Sequence, residues 1–145
     1  MGTPTLSVVI PASNEAALLP RLFDNLDAAR QRWTAAGHAV EAIEIIVADN
    51  GSTDATPSIA AMRGARVVPV EKRAIAAACN GGAAAARSEI LAFIDADSVV
   101  HPDSFIAVAA AMTNPLTIAG STGVTMERWS PGIAAFYLAC LPMVG

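Results

Sequence analysis

Two aspartates spaced two residues apart, Asp95 and Asp97, close an apolar run in the segment ILAFIDADSVV at residues 90–100. In an extended chain, side chains two residues apart point to the same face, so the two carboxylates are predicted to converge at the end of a buried strand. Nothing in the apolar run before them can neutralise their mutual repulsion. A divalent cation can, because Mg²⁺ and Mn²⁺ prefer oxygen ligands and keep coordination positions open for phosphate. The pair therefore predicts a Mg²⁺ or Mn²⁺ site.

A second polar cluster, DNGSTD at residues 49–54, follows another apolar run. A planar base that carries an N–H donor beside a carbonyl would suit the Asp49 carboxylate, which stands at the strand edge. Turn and helix-cap chemistry alone explains Ser52, Thr53 and Asp54, with the Asn-Gly pair as the turn. We therefore assign a binding role in this cluster to Asp49 and a structural role to the rest.

Three further features have both a structural and a functional interpretation. Lys72 and Arg73 follow the third predicted strand and could meet a diphosphate, although loop cations are usually only solvated. The glycine pair at 81–82 interrupts a helical pattern, at a cost of about 1 kcal/mol per residue relative to Ala, which close packing against a strand or a ligand could justify. His101 is a minor candidate, because a residue at this place more often begins a helix than binds a ligand.

Apolar runs and helical periodicity alternate along the chain, with short connections. This alternation predicts an α/β fold with a mostly parallel sheet flanked by helices, in which ligands sit at the carboxyl ends of the strands. The polar clusters all fall at those ends. Strands are predicted at residues 6–10, 43–48, 66–70, 90–94 and 116–119, and helices from a cap at Ser13 or Asn14 to Gly37, from the DNGSTD cluster to about Met62, at 74–87 and at 102–112.

The composition limits the class of protein. The 145 residues suffice for about one domain, and the net charge of −4 provides no basic surface for nucleic acid. Cys79 and Cys140 lack metal-ligand spacing, and they weakly suggest a reducing compartment. No G-x-G-x-x-G or G-x-x-x-x-G-K-[ST] fingerprint occurs in the chain.

Both ends of the chain bear on its location. The first residues lack a basic segment followed by an apolar one, so we expect no signal peptide and a cytoplasmic protein. Residues 132–145 are apolar but shorter than the roughly 20 residues that a membrane span needs. We expect this run to be a helix separated from its packing partner, and contact with the inner face of a membrane is the alternative.

Four blocks taken together resemble the family 2 glycosyltransferases of the GT-A fold. They are SVVIPASNE at residues 7–15, IVADNGSTD at 46–54, NGGAAAAR at 80–87 and LAFIDAD at 91–97. The resemblance implies a Rossmann-like nucleotide-binding half and a nucleotide-sugar donor, most often a UDP-sugar. Each block alone is weak, but four in this order and spacing are specific.

The resemblance also implies roles for individual residues. Pro11, Ala12, Ser13 and Glu15 would flank the nucleoside, Asp49 would hold the base, and Asp95 with its neighbour Ala96 would face the ribose. Asp97 would bind the metal that bridges the diphosphate. Arg73, or Ala74 one residue on, falls where the family often carries a donor-binding residue.

The chain departs from the family pattern at three points. Asn50 stands where a second aspartate is common, and Cys79 where an arginine often precedes the Asn. The third departure is length, because family members continue to an acceptor-side region with the catalytic carboxylate. Nothing after residue 123 matches that region, and Glu127 has no context that nominates it. Residues 1–145 are therefore interpreted as the donor-binding part of a glycosyltransferase, truncated before the acceptor side.

The reaction that the resemblance implies is metal-dependent sugar transfer to an unknown acceptor hydroxyl, with inversion at the anomeric carbon. A retaining enzyme of the same fold would share the donor-side motifs. Two rival interpretations stay open. A nucleotidyltransferase would normally carry a Gly-rich, basic loop after the first strand, which PASNE is not. A non-catalytic nucleotide-binding module is the third possibility.

Overall fold

The computed structural model describes residues 5–121, and strands and helices alternate along this part of the chain. A short 3₁₀ turn at Val40–Ala42 precedes the second strand. The elements in chain order are β1 (Leu6–Ala12), α1 (Leu19–Ala35), β2 (Ile43–Asp49), α2 (Thr56–Met62), β3 (Arg66–Pro69), α3 (Ile75–Ala85), β4 (Ile90–Phe93) and α4 (Ser104–Ala111).

The four strands form one parallel sheet in the order β3-β2-β1-β4. In its register Ala12 lies beside Asp49, and Asp49 lies beside Pro69. The carboxyl ends of all four strands therefore meet at one edge, and the loops after β1, β2, β3 and β4 gather there. This arrangement confirms the predicted α/β class with a parallel sheet flanked by helices.

Helix α1 is stabilised by an apolar stripe that packs into the main core. Leu19, Leu22, Phe23, Leu26 and Trp33 recur at helical spacing and are fully buried. Gly37, with a left-handed φ of 90°, follows the helix end as predicted. This core also contains the alternate residues Leu6, Val8 and Ile10 of β1. Helix α1 thereby covers one face of the sheet.

Helix α3 packs on the other face of the sheet, against β1, β2 and β3. A Cβ placed on Gly82 would clash with the buried Val9 side chain and would lie 3.4 Å from the Ala48 Cβ. A Cβ on Gly81 would lie 2.9 Å from a Val70 methyl group. Close approach of the helix to β1 and β2 therefore explains Gly82, and this is the first of the two reasons expected for the pair. The neighbour of Gly81 is Val70, which follows β3 and is half-buried.

The predicted start of α1 was wrong. The helix begins at Leu19, and its N-cap, Leu18, makes no side-chain cap hydrogen bond. Asn14 instead has a left-handed backbone with φ of 56°, and its side chain accepts hydrogen bonds from the β2–α2 loop. Asn tolerates the left-handed conformation better than most residues. The residue type was therefore visible in the local sequence, but its hydrogen-bond partners lie in a distant loop.

The fifth strand predicted at residues 116–119 was also wrong, because this segment has no regular structure. Leu116 is 87% and Ile118 is 91% exposed, and no strand among residues 5–121 lies beside them. An apolar β-branched run becomes a strand only when a neighbour accepts its backbone hydrogen bonds.

The remaining boundaries agree with the prediction to within a few residues. Helix α4 begins at Ser104, so Pro102 lies in the turn before it rather than in its first helical turn. The described segment contains no helix that is long and apolar enough to cross a membrane. The apolar run at 132–145, on which the membrane alternative rested, lies outside the described residues, as do Glu127 and Cys140.

Candidate functional site

The loop after β1 is fastened to the loop after β2 by the Asn14 side chain. Asn14 Oδ1 accepts hydrogen bonds from the backbone N–H of Thr53 at 2.8 Å and of Asp54 at 3.3 Å, and from the Thr53 hydroxyl at 3.2 Å. The Asn14 backbone N–H donates in return to the Ser52 hydroxyl at 2.9 Å. These contacts join residues that are 38 to 40 positions apart in the chain.

Asp54 and Thr56 also join these two loops, by accepting hydrogen bonds from the backbone after Asn14. The Glu15 N–H donates to the Thr56 hydroxyl at 2.8 Å, and the Ala16 N–H donates to the Asp54 carboxylate at 3.1 Å. The Thr56 hydroxyl donates to Asp54, and this bond, followed by those from backbone N–H groups, holds the pKa of the Asp54 carboxyl below its usual value. Ser52, Thr53 and Asp54 therefore have structural contacts, but the predicted helix cap was wrong. The N-cap of α2 is Ala55, without a side-chain cap hydrogen bond, and the three residues join the two loops instead.

An open cleft of about 350 Å³ lies at the carboxyl edge of the sheet. It brings together six of the residues singled out from the sequence, four around the end of β1 and two before α3, although these two segments are far apart in the chain. Its lining consists of Pro11, Ala12, Ser13, Glu15, Asn50, Arg73, Ala74, Ile75 and Ala78. The volume falls within the usual range of small-molecule sites, about 300 to 1,000 Å³.

Arg73 supplies a cation to this cleft. Its guanidinium group lies against Gly51, where an added Cβ would be 3.4 Å from Arg73 Nε. Gly51 has a φ of 71°, so a side chain there would strain the backbone as well as crowd the guanidinium. Within the described residues Arg73 makes no hydrogen bond or ion pair, and this leaves its donors available to an anion.

Asp49 and Asn50 occupy different positions at the end of β2. Asp49 is half-buried, and its Oδ1 accepts a hydrogen bond from the Ser52 N–H at 3.2 Å. Asp49 is not among the residues that line the cleft, whereas Asn50 is. Neighbouring residues of a strand point to opposite faces, so a strand-end pattern could have nominated either residue, and sequence reasoning missed Asn50.

Asp95 and Asp97 follow β4 on the same edge of the sheet, with exposed side chains. Neither carboxylate has a hydrogen bond or ion pair with another residue in the range 5–121. This range also contains no group of three or more His, Cys, Asp or Glu residues that could hold a metal ion. Two unpaired carboxylates still fit Mg²⁺ or Mn²⁺, because these ions are usually held by one or two carboxylates together with water and substrate phosphate.

The remaining predicted residues contribute less to this edge. Ala96, between the two aspartates, is 5% exposed and belongs to the core, so only its backbone is available to a ligand. Lys72 is exposed, and its carbonyl accepts a hydrogen bond from the Ala74 N–H at 2.8 Å. His101 contacts Asp103 near the start of α4 and not the cleft.

A second recess, of about 360 Å³, lies at the opposite edge of the sheet, near Thr5, Glu41 and Arg87. One of its ionisable groups, Glu44, is already engaged by the Ser7 hydroxyl and by the Arg66 guanidinium, both at 2.7 Å. This recess is therefore accounted for by sheet-stabilising contacts. The carboxyl-edge cleft is the better candidate for a ligand site, because Arg73 in its wall makes no hydrogen bond or ion pair within residues 5–121.

Comparison with known proteins identifies one sequence family. The sequence model described as glycosyl transferase family 2 matches residues 7–130. Among curated proteins, validoxylamine A glucosyltransferase of Streptomyces hygroscopicus subsp. jinggangensis is 39% identical over 118 residues, which are 77% of this chain and 26% of that protein. The chain thus spans about a quarter of the length of this relative.

Solved structures share the fold. Glucosyl-3-phosphoglycerate synthase from Mycobacterium tuberculosis, crystallised with Mn²⁺ and UDP-glucose, matches with a TM-score of 0.60 and 30% identity, over 78% of this chain and 40% of that one. TarS from S. aureus matches with a TM-score of 0.63 over 86% of this chain and 24% of that one. At 19% identity, the second likeness concerns the fold alone.

Proposed function

The chain belongs to glycosyl transferase family 2, and from this premise we propose that it forms the donor-binding part of an enzyme that transfers a sugar from a nucleotide-diphosphate sugar to an acceptor hydroxyl. We propose a UDP-sugar as the donor. Because the chain spans only 26% of the glucosyltransferase that it matches, the acceptor-binding region and the catalytic base are proposed to belong to a further part of such an enzyme.

The observation that carries this proposal is the convergence of Pro11, Ala12, Ser13, Glu15 and Arg73 on one cleft. The first four were expected to flank a nucleoside, and Arg73 was expected near the diphosphate. These residues meet at the carboxyl edge of a parallel sheet, and ligands of open α/β sheets bind at this edge. The UDP-glucose and Mn²⁺ in the mycobacterial structure add support for this class of ligand.

Each group has a proposed role, which for the aspartates is the one that the family resemblance implies. The Arg73 guanidinium offers several N–H donors to the oxygens of a diphosphate. Asp97 would hold a divalent metal, with Asp95 beside it facing the ribose. When bound, such a metal supplies charge that stabilises the departing nucleotide diphosphate. Asp49 and Asn50 stand at the end of β2, where the base is proposed to lie.

In the proposed reaction the acceptor oxygen forms a bond to the anomeric carbon while the bond from that carbon to the diphosphate oxygen breaks. The acceptor loses its proton to a carboxylate on the acceptor side, and the configuration at the anomeric carbon inverts. This chain is proposed to bind and orient the donor. Without a general base, transfer by the chain alone would be slower by about 10²- to 10⁴-fold.

Calorimetry of the full chain with UDP, in Mn²⁺ and in EDTA, tests the proposal. We expect metal-dependent binding, and Asp97→Asn should weaken the Mn²⁺-dependent affinity at least tenfold, or about 1.4 kcal/mol, since one ligand charge is lost. Glu89→Gln is the matched control, because it removes an exposed carboxylate at the opposite end of the same strand.

The two results that would contradict the proposal are distinct. Equal UDP affinity in EDTA and Mn²⁺ for the wild type and Asp97→Asn would exclude the metal role. Sugar transfer by the chain alone at ordinary enzyme rates would show that a base lies within it. Binding without any transfer is the result that we expect from the donor-binding part.

A further inference from the structure

Asn50 carries a buried polar atom that has no hydrogen-bond partner among residues 5–121. The residue is 9% exposed, and its Oδ1 accepts no hydrogen bond within the described residues. Its backbone is bonded on both sides, since its N–H donates to the Ala12 carbonyl at 2.8 Å and its carbonyl accepts from the Ser13 hydroxyl at 3.3 Å. Buried polar groups in native proteins nearly always have a partner, so this oxygen requires an explanation.

The place of Asn50 provides that explanation. Arg30 and Arg66 also have a buried atom without a partner, but only Asn50 of these three residues lines the carboxyl-edge cleft. Ala12 and Ser13 flank it in the cleft wall, and the Arg73 guanidinium lies against the next residue, Gly51. A ligand in this cleft would therefore meet the amide of Asn50 beside an unpaired cation.

The amide of Asn50 differs from a carboxylate in the hydrogen-bonding groups that it offers. A carboxylate only accepts hydrogen bonds, whereas an amide has an acceptor oxygen and a donor NH₂ group side by side. Its last torsion is roughly two-fold, so the two ends can exchange places. The amide can complement the N–H and carbonyl of uracil or, turned over, the ring nitrogen and amino group of cytosine. A carboxylate would instead face the cytosine ring nitrogen with a like lone pair.

We propose that Asn50 sets the base selectivity of this cleft, and that the neutral amide lets it bind uridine and cytidine diphosphates with similar affinity. This inference rests on the proposed donor-binding function and deepens it. The charge of residue 50 also bears on Arg73, because a neutral amide leaves that guanidinium free for the diphosphate, which both nucleotides share.

The test is the ratio of UDP to CDP affinity, measured by calorimetry on the full chain in Mn²⁺. For the wild type we expect the two dissociation constants to lie within about tenfold of each other. Asn50→Asp should favour UDP over CDP by at least about a further tenfold. The added charge repels both diphosphates equally, so the ratio isolates the contact with the base. Asn50→Ala should weaken both nucleotides and leave the ratio near that of the wild type.

Asn114→Asp is the matched control, because it makes the same change at an exposed site that follows α4 and does not line the cleft. Its side-chain oxygen accepts a hydrogen bond from the Leu116 N–H. Its ratio should equal that of the wild type. A wild-type preference for UDP well beyond tenfold would overturn the selectivity proposal without any variant, as would an unchanged ratio in a folded Asn50→Asp protein. Failure of both nucleotides to bind would instead overturn the proposed function on which this inference rests.

Discussion

At the scale of single residues, the polar side chains at the carboxyl edge form two groups. One group makes hydrogen bonds to other residues of the chain, and the other is available to a ligand. Asn14, Ser52 and Asp54 have hydrogen-bond partners in the neighbouring loop. Arg73 and Asp97 have none within residues 5–121. Because an unpaired charge is free to meet a ligand, the second group contains the better binding candidates.

Asn14 is the residue on which the junction of the two loops depends most. Asn14→Ala should lower the free energy of unfolding by about 1 to 3 kcal/mol, because it removes three accepted hydrogen bonds and leaves a left-handed backbone on a residue that disfavours it. It should also weaken UDP binding, since Ser13 and Glu15 beside it line the cleft. Urea denaturation and nucleotide titration measure the two effects.

Two companion substitutions separate the causes. Asn14→Gly keeps the backbone conformation accessible but removes the acceptor, and Asn14→Asp keeps the acceptor. We expect Asn14→Asp to retain most of the stability and Asn14→Gly to lose the contribution of the hydrogen bonds. Equal stability of the Gly and Asp variants would show that the contacts to Thr53 and Asp54 contribute little.

At the scale of elements, Gly82 is the point at which α3 approaches the sheet most closely. Gly82→Ala should destabilise the fold by about 1 to 3 kcal/mol, because the new methyl group would press into the fully buried Val9, and the gain in helix propensity of about 1 kcal/mol is too small to compensate. Thermal unfolding of the variant measures this directly.

Gly81→Ala is the matched control on the same helix. Its added Cβ would lie 2.9 Å from a methyl group of Val70, which is half-buried and so less tightly enclosed than Val9. The gain in helix propensity should then make this variant neutral or slightly more stable. Similar destabilisation by both substitutions would contradict the assignment of Gly82 as the point of close approach.

At the scale of the whole molecule, Glu44 joins separate parts of the sheet at the edge away from the cleft. Its carboxylate accepts from the Ser7 hydroxyl in β1, from Arg66 in β3 and from the Arg87 N–H before β4. Burial alone would raise the pKa of Glu44, but these hydrogen bonds and the charges of Arg66 and Arg87 outweigh it and hold the pKa below the usual value.

A pH dependence of stability follows from the lowered pKa of Glu44. Its contribution should be fully present above the pKa of the unfolded chain, about 4.3, and should be lost as the pH falls through the lower pKa of the folded state. The difference in unfolding free energy between the wild type and Glu44→Gln should therefore shrink on acidification below that value. Urea denaturation from pH 7 to pH 3 measures it.

Glu41→Gln is the control for this experiment, because Glu41 is exposed and lines the same recess without a hydrogen bond to the residues described. Its stability difference from the wild type should change little over the same pH range. A difference for Glu44→Gln that stays constant down to pH 3 would contradict a role for the ionised carboxylate.

Much of this protein follows from local sequence. The four strands arise from apolar β-branched runs, the stripe of α1 from helical spacing, and the parallel sheet from their alternation, because each pattern is short-range and repeated. The strand-end positions of Asp49, Asp95 and Asp97 could be read in the same way, since a parallel sheet brings all its carboxyl ends to one edge.

Where a local pattern is compatible with more than one conformation or contact, the tertiary structure determined which one occurs. Asn14 is a residue type that is common at helix caps. Its side chain instead accepts hydrogen bonds from Thr53 and Asp54, about 40 residues away, because two loops meet at the sheet edge. Residues 116–119 resemble a strand but lack a neighbour within the part described. Asn50 rather than Asp49 lines the cleft, because the pleat of β2 and the packing of the β1 loop determine which side chain faces it.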